Sequence, residues 1–252
     1  MLVGVAAAVV LAAAPAGGTA AAAVPSAQTV TSIPSVGPLF FPSVLGLGPL
    51  LGLPHYCSAS VVHSPGRDLV LTAAHCVYGS GVGIEFIPGY HDGIAPYGVW
   101  DVERAWLDPA WVQGQDPQHD VAVLEVVQLG GALIEDRTGA ATLGAAPAAG
   151  STVTVDGYVA GSGGRPITCT APVYYTEGFP SFDCDGYADG VSGGPWLAGR
   201  KVVGVIGGLH QGGCTPSTSY SSAFGSDTKH LLARANNHRP GDVAPVPGGD
   251  GC

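Results

Sequence analysis

The chain has 252 residues, 46% of them hydrophobic and only 11% charged, with a formal charge of −10. That length and apolar content suffice to bury a core and argue against disorder, while 40 glycines and 21 prolines, about a quarter of the chain, point to many tight turns. Nineteen acidic residues against nine basic ones exclude a nucleic-acid binder working through phosphate contacts and a polybasic membrane anchor, so no nucleic acid and no stable membrane association are expected.

No charged side chain precedes Arg67. Residues 2–14 are an unbroken apolar stretch, too short to span a bilayer but of the right length for the apolar region of a secretory signal. Small residues at Ala21 and Ala23 allow cleavage after Ala23, so 1–23 reads as a signal peptide and the product as secreted and extracellular, although no Lys or Arg leads the apolar run. Six cysteines agree with an oxidising compartment, and none forms the C-x-x-C pair of a structural zinc site. Residues 24–53, punctuated by Pro, Gly and Ser, read as an N-terminal arm or a short propeptide.

From Tyr56 the pattern becomes one of short β-type runs at 58–62, 68–72, 82–87, 98–102, 120–126, 152–156, 173–175 and 201–206. Most are rich in β-branched residues and bounded by Gly, Pro, Asp or Ser. Only 226–237 carries a helical period, through Leu231, Leu232 and Ala235, with Ser226 or Asp227 as a cap. These elements predict an all-β domain over 54–238, its two halves linked near 130–150 by Ala/Gly-rich sequence. A short C-terminal helix precedes a Pro/Gly-rich surface tail at 239–252.

Three segments carry chemistry in the order His, Asp, Ser. They are Thr72-Ala73-Ala74-His75-Cys76, His119-Asp120-Val121-Ala122-Val123-Leu124, and Asp189-Gly190-Val191-Ser192-Gly193-Gly194-Pro195. Each alone has a bland reading, as a core histidine, a turn aspartate and loop sequence; their joint occurrence is what signals function. A serine hydroxyl needs a base within hydrogen-bond reach to act as a nucleophile near neutral pH, and imidazole can take that proton and return it. A buried carboxylate on the far ring nitrogen fixes the tautomer, and glycines near the serine let backbone N–H groups converge on a developing oxyanion. Asp101, Asp108 and Asp116 also lie between His75 and Ser192, but only Asp120 directly precedes an alternating strand, in which Val121, Val123 and Val126 are available to a core. Residues 190–194 also satisfy the G-x-S-x-G pattern of an α/β-hydrolase elbow. Pro195, the short chain that follows, and a histidine before rather than after the serine argue against it.

These motifs identify the sequence as similar to the chymotrypsin-fold, trypsin-like serine peptidases of the kind secreted by bacteria, with the resemblance running from about 36 to 232. It implies two six-stranded antiparallel Greek-key barrels packed about a catalytic cleft, His75 as general base, Asp120 as its orienting acid and Ser192 as nucleophile. It also implies an oxyanion hole from the N–H groups of Gly190 and Ser192, and a substrate pocket at Gly186, Gly207, Gly208 and Leu209. Trypsin itself carries Asp where this chain has Gly186, so a neutral pocket is expected unless Asp185 or Asp183 turns inward. Val191 stands where vertebrate and trypsin-type members carry an Asp that pairs with a freed N-terminus, so activation by that ion pair is not expected. In the family, a pair like Cys57–Cys76 braces the loop bearing the base.

Cys169 and Cys184 lie symmetrically about 176–179 and would meet across a turn, which leaves Cys214 for Cys252. A Cys184–Cys214 pair, as in many relatives, is the alternative and would leave Cys169 and Cys252 over. The remaining histidines, His55, His63, His91, His210, His230 and His238, are scattered without metal-ligand spacing, so neither metal nor cofactor is expected. The reading is a monomeric secreted serine endopeptidase acting on a peptide or protein substrate through an acyl-enzyme. The alternatives are a catalytically silent member that binds peptide or a partner, and an esterase.

Overall fold

A computed structural model describes Met1, Gly4 and residues 23–43, 53–162, 164–246 and 248–252; the expected leader at 1–23 therefore lies almost wholly outside the described residues. In chain order β1 (Gln28–Thr29), which joins the sheet of the second half, is followed by the strands of the first half, β2 (Val36–Phe40), β3 (His55–Val62), β4 (Leu69–Thr72), β5 (Glu85–Phe86), β6 (Trp100–Leu107) and β7 (Ala122–Val127). Those of the second are β8 (Thr142–Leu143), β9 (Thr152–Gly157), β10 (Ile167–Pro172), β11 (Tyr174–Thr176), β12 (Phe179–Asp183), β13 (Pro195–Ala198), β14 (Lys201–Val205) and β15 (Thr218–Tyr220). Short helices α1 (Pro109–Gly114) and α2 (Ile134–Thr138) lie between strands, and α3 (Ser226–Asn236) follows the last one. No helix among the described residues is long and apolar enough to cross a membrane.

Strands β2-β3-β4-β7-β6-β5 close into a barrel in that order, each neighbour antiparallel. Within it the period-2 rule sorts side chains: Val70, Ala122, Leu124 and Val126 fill the barrel, while Leu69, Leu71, Val121 and Val123 point outward. The outward set is equally buried, because Val202, Val205, Phe224 and Leu231 of the second half pack on it. This is why 69–71 reads as uniformly apolar rather than alternating: one face serves the barrel and the other the seam.

The second half consists of a six-stranded sheet, β1-β10-β9-β13-β14-β8, and a three-stranded one, β11-β12-β15. Phe182 of β12 meets Trp196 of β13 edge-on, with ring centroids 4.9 Å apart, so the two sheets share one core. Cys169–Cys184 ties β10 to the end of β12. Of the two expected barrels, the first is a closed ring of strands and the second a pair of sheets about a common interior.

Residues 24–53 do more than lead into the domain. Gln28 and Thr29 pair with β10, Leu39 of β2 is buried in the core of the closed barrel, and Val36 and Phe40 are buried against Ile87, Tyr90 and Tyr158, so the folded unit begins well before 54. The tail at 239–252 is likewise fastened: Ala244 is buried and bridges to Gly79, while Asp242 pairs with Arg234 of α3 at 2.9 Å. Helix α3 buries Leu231 and Ala235 as its period predicts, but Gly225 is its N-cap, with no side-chain cap bond; Ser226 Oγ turns to Asp227 instead.

Among the described residues the buried carboxyl of Asp156 makes no ion pair. Asp156 in β9 is 4% exposed, and burial pushes it up to about 6, against a weaker opposing hydrogen bond from Thr168. Its folded pKa lies above the unfolded value, so the folded state retains a proton that the unfolded chain releases between about pH 4 and pH 6. Stability contributed by this group is present at the acid end and lost as pH rises through about 6. Asp156→Asn stays neutral throughout and is expected to be more stable than the parent at pH 7 by about 3 kcal/mol, with the gap closing by pH 4. Thermal melts of both proteins at the two pH values check this; a gap independent of pH counts against it.

Candidate active site

The three sequence segments converge on the seam. Strand β4 ends at Thr72, and a single 3-10 turn, Ala74–Cys76, carries His75 back toward the second half. Asp120 lies between a second such turn, Pro117–His119, and β7. His75 is 8% exposed and Asp120 is fully buried. The His75 backbone N–H donates to Asp120 Oδ1 at 2.9 Å, and the ring Nδ1 lies 2.8 Å from Oδ2. A carboxylate can only accept, so the proton belongs on Nδ1 and Nε2 is left as the basic nitrogen. Oδ2 takes another donor, the Gly208 N–H at 2.8 Å. The Asp120 N–H donates to Ser222 Oγ, which itself donates to the Pro117 carbonyl.

The competing aspartates have other work. Asp108 caps α1 through the Ala110 N–H and pairs with His119, Asp116 caps the turn before Asp120 through the Gln118 N–H, and Asp101 is exposed on β6.

Ser192 and His75 line one cleft of about 540 Å³, with no direct hydrogen bond between their side chains among the described residues. Such bonds often tighten only when substrate is bound. The loop around the serine is set by its carbonyls. Asp189 C=O accepts from the Ala160 N–H at 2.7 Å, and Val191 C=O from the Gly194 N–H at 2.9 Å. In a planar trans peptide the N–H points opposite to its C=O, so the Gly190 and Ser192 N–H groups are turned away from these bonds. Neither has a partner among the described residues, and both residues line the cleft. Val191 is buried among second-half core residues, so burial and backbone bonds hold the loop.

Ser58 of β3 is the bolt between the halves. Its N–H donates to Ser192 C=O at 2.7 Å, its Oγ donates to Gly190 C=O at 2.8 Å, and that Oγ accepts from the Tyr158 N–H at 2.9 Å. Sequence offered no signal for Ser58 or Ser222, since serine is common in both strands and loops.

The expected pocket residues flank the cleft. Gly186 donates its N–H to Pro216 C=O, and Asp183 is engaged by Tyr174 and Thr218. A Cβ on Gly207 would stand 2.9 Å from Asp120 Oδ2, and Gly208, at φ +77, bends the chain out of the β conformation into the turn Leu209–Gly212. The cleft walls are formed by neighbours: Tyr187 to Val191, Ile206, His210 to Pro216, and Tyr56 and Tyr78 across from them. Asp189 and Asp250 are the carboxylates on those walls. All three disulfides, Cys57–Cys76, Cys169–Cys184 and Cys214–Cys252, are formed, which selects the last pair over the Cys184–Cys214 alternative. Among the described residues, the two groupings with ligand-like spacing, Cys57/His75/Cys76 and His210/Cys214/Cys252, each hold a disulfide, whose sulfurs have no thiolate to offer a metal.

A family model described as a trypsin-like peptidase domain matches residues 57–205. Protease Anisep from Arthrobacter nicotinovorans is 25% identical with a TM-score of 0.69, covering 84% of this chain and 99% of its own. The thermostable serine protease AL20 from an extremophilic microorganism is 24% identical with a TM-score of 0.67, covering 81% and 98%. A Glu endopeptidase shares the fold at 16% identity, with a TM-score of 0.64 and coverage of 84% and 97%. No curated protein sequence matches the chain.

Proposed function

The chain belongs to the trypsin-like peptidase family, and on that premise we propose that it is a secreted serine endopeptidase that cleaves peptide bonds through an acyl-enzyme. The observation that carries this reading is the buried Asp120–His75 pair, Nδ1 to Oδ2 at 2.8 Å, sharing a cleft with Ser192 and two undonated N–H groups.

His75 Nε2 takes the Ser192 Oγ proton as Oγ attacks the substrate carbonyl carbon, and the carbonyl electron pair moves onto oxygen. The Gly190 and Ser192 N–H groups receive that oxyanion; one such donor is worth about 3–4 kcal/mol of barrier in comparable sites. The imidazolium, held by Asp120, then protonates the leaving amine as the C–N bond breaks. Water repeats the sequence on the ester, delivering its proton to Nε2 and releasing the acid.

Extracellular residence is supported by three disulfides and by the apolar leader. Gly186 and the engagement of Asp183 by Tyr174 and Thr218 support the absence of a carboxylate at the position where trypsin carries its Asp; the side-chain carboxylates on the cleft walls are those of Asp189 and Asp250. Val191 before the serine supports competence on folding, without an ion pair to a released N-terminus.

The test is a fluorophosphonate probe. The folded, oxidised protein is expected to take up one equivalent on the peptide containing Ser192, losing casein hydrolysis in step. A folded protein that never reacts is a silent binder, and one that turns over small esters but not casein is an esterase.

A further inference from the structure

The C-terminal segment reaches the cleft by a route fixed at short intervals. Leaving α3, Arg239 C=O accepts from the Trp106 indole N–H, and the Asp242 carboxylate accepts from the Leu107 N–H. The Ala244 N–H donates to Gly79 C=O. Gln115, at the end of α1, then holds the segment from both sides, donating to Val246 C=O and accepting from the Gly248 N–H. Next the segment crosses from the first barrel to the turn after Gly208. Gln211 Nε2 donates to Gly248 C=O at 2.9 Å, His210 Nδ1 lies 3.1 Å from Asp250 C=O, and Cys252 is bonded to Cys214.

Asp250 and Cys252 thereby line the same cleft as His75 and Ser192. His210 and Gln211, which with Gln115 grip the segment by their side chains, hold left-handed backbones at φ +51 and +49, as does Gln115 at φ +52, conformations that non-glycine residues adopt rarely. Gly208 has already ended the β conformation of the chain beyond β14, so the edge along which an extended peptide could run is cut short just there. The tail stands where that edge stops. With the tail in position the cleft still holds about 540 Å³, so the tail flanks the opening and does not fill it.

We propose that residues 248–252 form a substrate-binding wall, contacting the part of a peptide that extends past Gly208, away from the scissile bond. The wall raises affinity for long substrates, and Cys214–Cys252 holds it in register. This inference rests on the peptidase reading and deepens it.

The test measures kcat and KM on a series of peptide substrates of increasing length, with a one-residue ester as the shortest member. In the double variant Cys214→Ser/Cys252→Ser, KM for a four- or five-residue substrate is expected to rise about tenfold, and more than for the ester. The kcat of the long substrate should stay within about twofold, the pattern of lost ground-state binding. Gln115→Ala/Gln211→Ala keeps the disulfide and is expected to shift KM the same way by about threefold, which preserves the test should the cysteine variant fold poorly. KM unchanged at every length in both variants overturns the proposal. So does a KM that falls, which would make the tail an obstruction. A parent protein that turns over neither ester nor peptide overturns the peptidase reading, and this inference with it.

Discussion

Asp120→Asn is expected to lower kcat by about 10⁴-fold while leaving a folded protein that still binds substrate. The reason lies in the donor count at the carboxylate. Oδ1 accepts from the His75 N–H, and Oδ2 accepts from both His75 Nδ1 and the Gly208 N–H. An amide offers one oxygen and one NH₂, so no orientation can serve all three donors. With its oxygen toward the ring, the amide NH₂ opposes the His75 backbone N–H. With the NH₂ toward the ring, Nδ1 must become an acceptor and its proton moves to Nε2, the atom that has to receive the serine proton. Either arrangement damages the base, and the second abolishes it. Steady-state rates on a peptide amide, with a thermal melt alongside to confirm folding, check the prediction. Activity within tenfold of the parent would transfer the orienting role to another carboxylate.

Gly193→Ala is expected to cost about 4 kcal/mol of stability, enough to lower Tm by about 10 °C or to prevent accumulation of folded protein. Gly193 has φ +79, and a Cβ there would stand 2.1 Å from Thr72 Oγ1 and 2.2 Å from Ser58 C=O. Neither neighbour can retreat cheaply. Thr72 Oγ1 donates to Ser58 C=O at 2.8 Å, and the Gly193 N–H is committed to Ile206 C=O at 2.7 Å. Left-handed strain adds about 1–2 kcal/mol to the overlap. Melting by circular dichroism reads the outcome, and a variant melting within about 2 °C of the parent would mean the loop has room the packing denies. The glycine after the serine is therefore there for the seam as much as for the reaction.

How much of this was legible in the sequence follows from how local each interaction is. The His75, Asp120 and Ser192 segments were readable because each carries a residue type that the chemistry demands, set beside an apolar strand or a glycine turn. Strands such as 68–72 and 120–126 were readable from β-branched runs. Strand β10 was missed although Ile167, Cys169 and Ala171 alternate with Thr168, Thr170 and Pro172. Strands β12 and β15 were not readable, since FPSFD and TSY are short and carry Pro, Ser and Thr, and they are extended because neighbours supply their ladders. The same holds for 24–53, whose Pro and Gly suggested an arm while Val36 to Phe40 depends on β3 and β5 for its conformation. Ser58, Ser222 and the tail act through partners about 100 residues or more away, at Tyr158, Asp120, Gln115 and Trp106. No pattern within a window of sequence records such pairings. The Gly190 and Ser192 N–H groups lie between: their place near the serine was legible from the glycines, but their orientation is fixed by Ala160 and Gly194 through carbonyls that face the other way.

The bolt at Ser58 has a consequence for the life of the chain before it is finished. Strand β3 belongs to the half synthesised first, whereas the serine loop it grips emerges more than a hundred residues later. A partly made or partly folded molecule thus has nothing to hold the Ser192 hydroxyl and the Gly190 and Ser192 N–H groups in one geometry. On the proposed peptidase reading, hydrolytic competence requires that the two halves have already closed on one another.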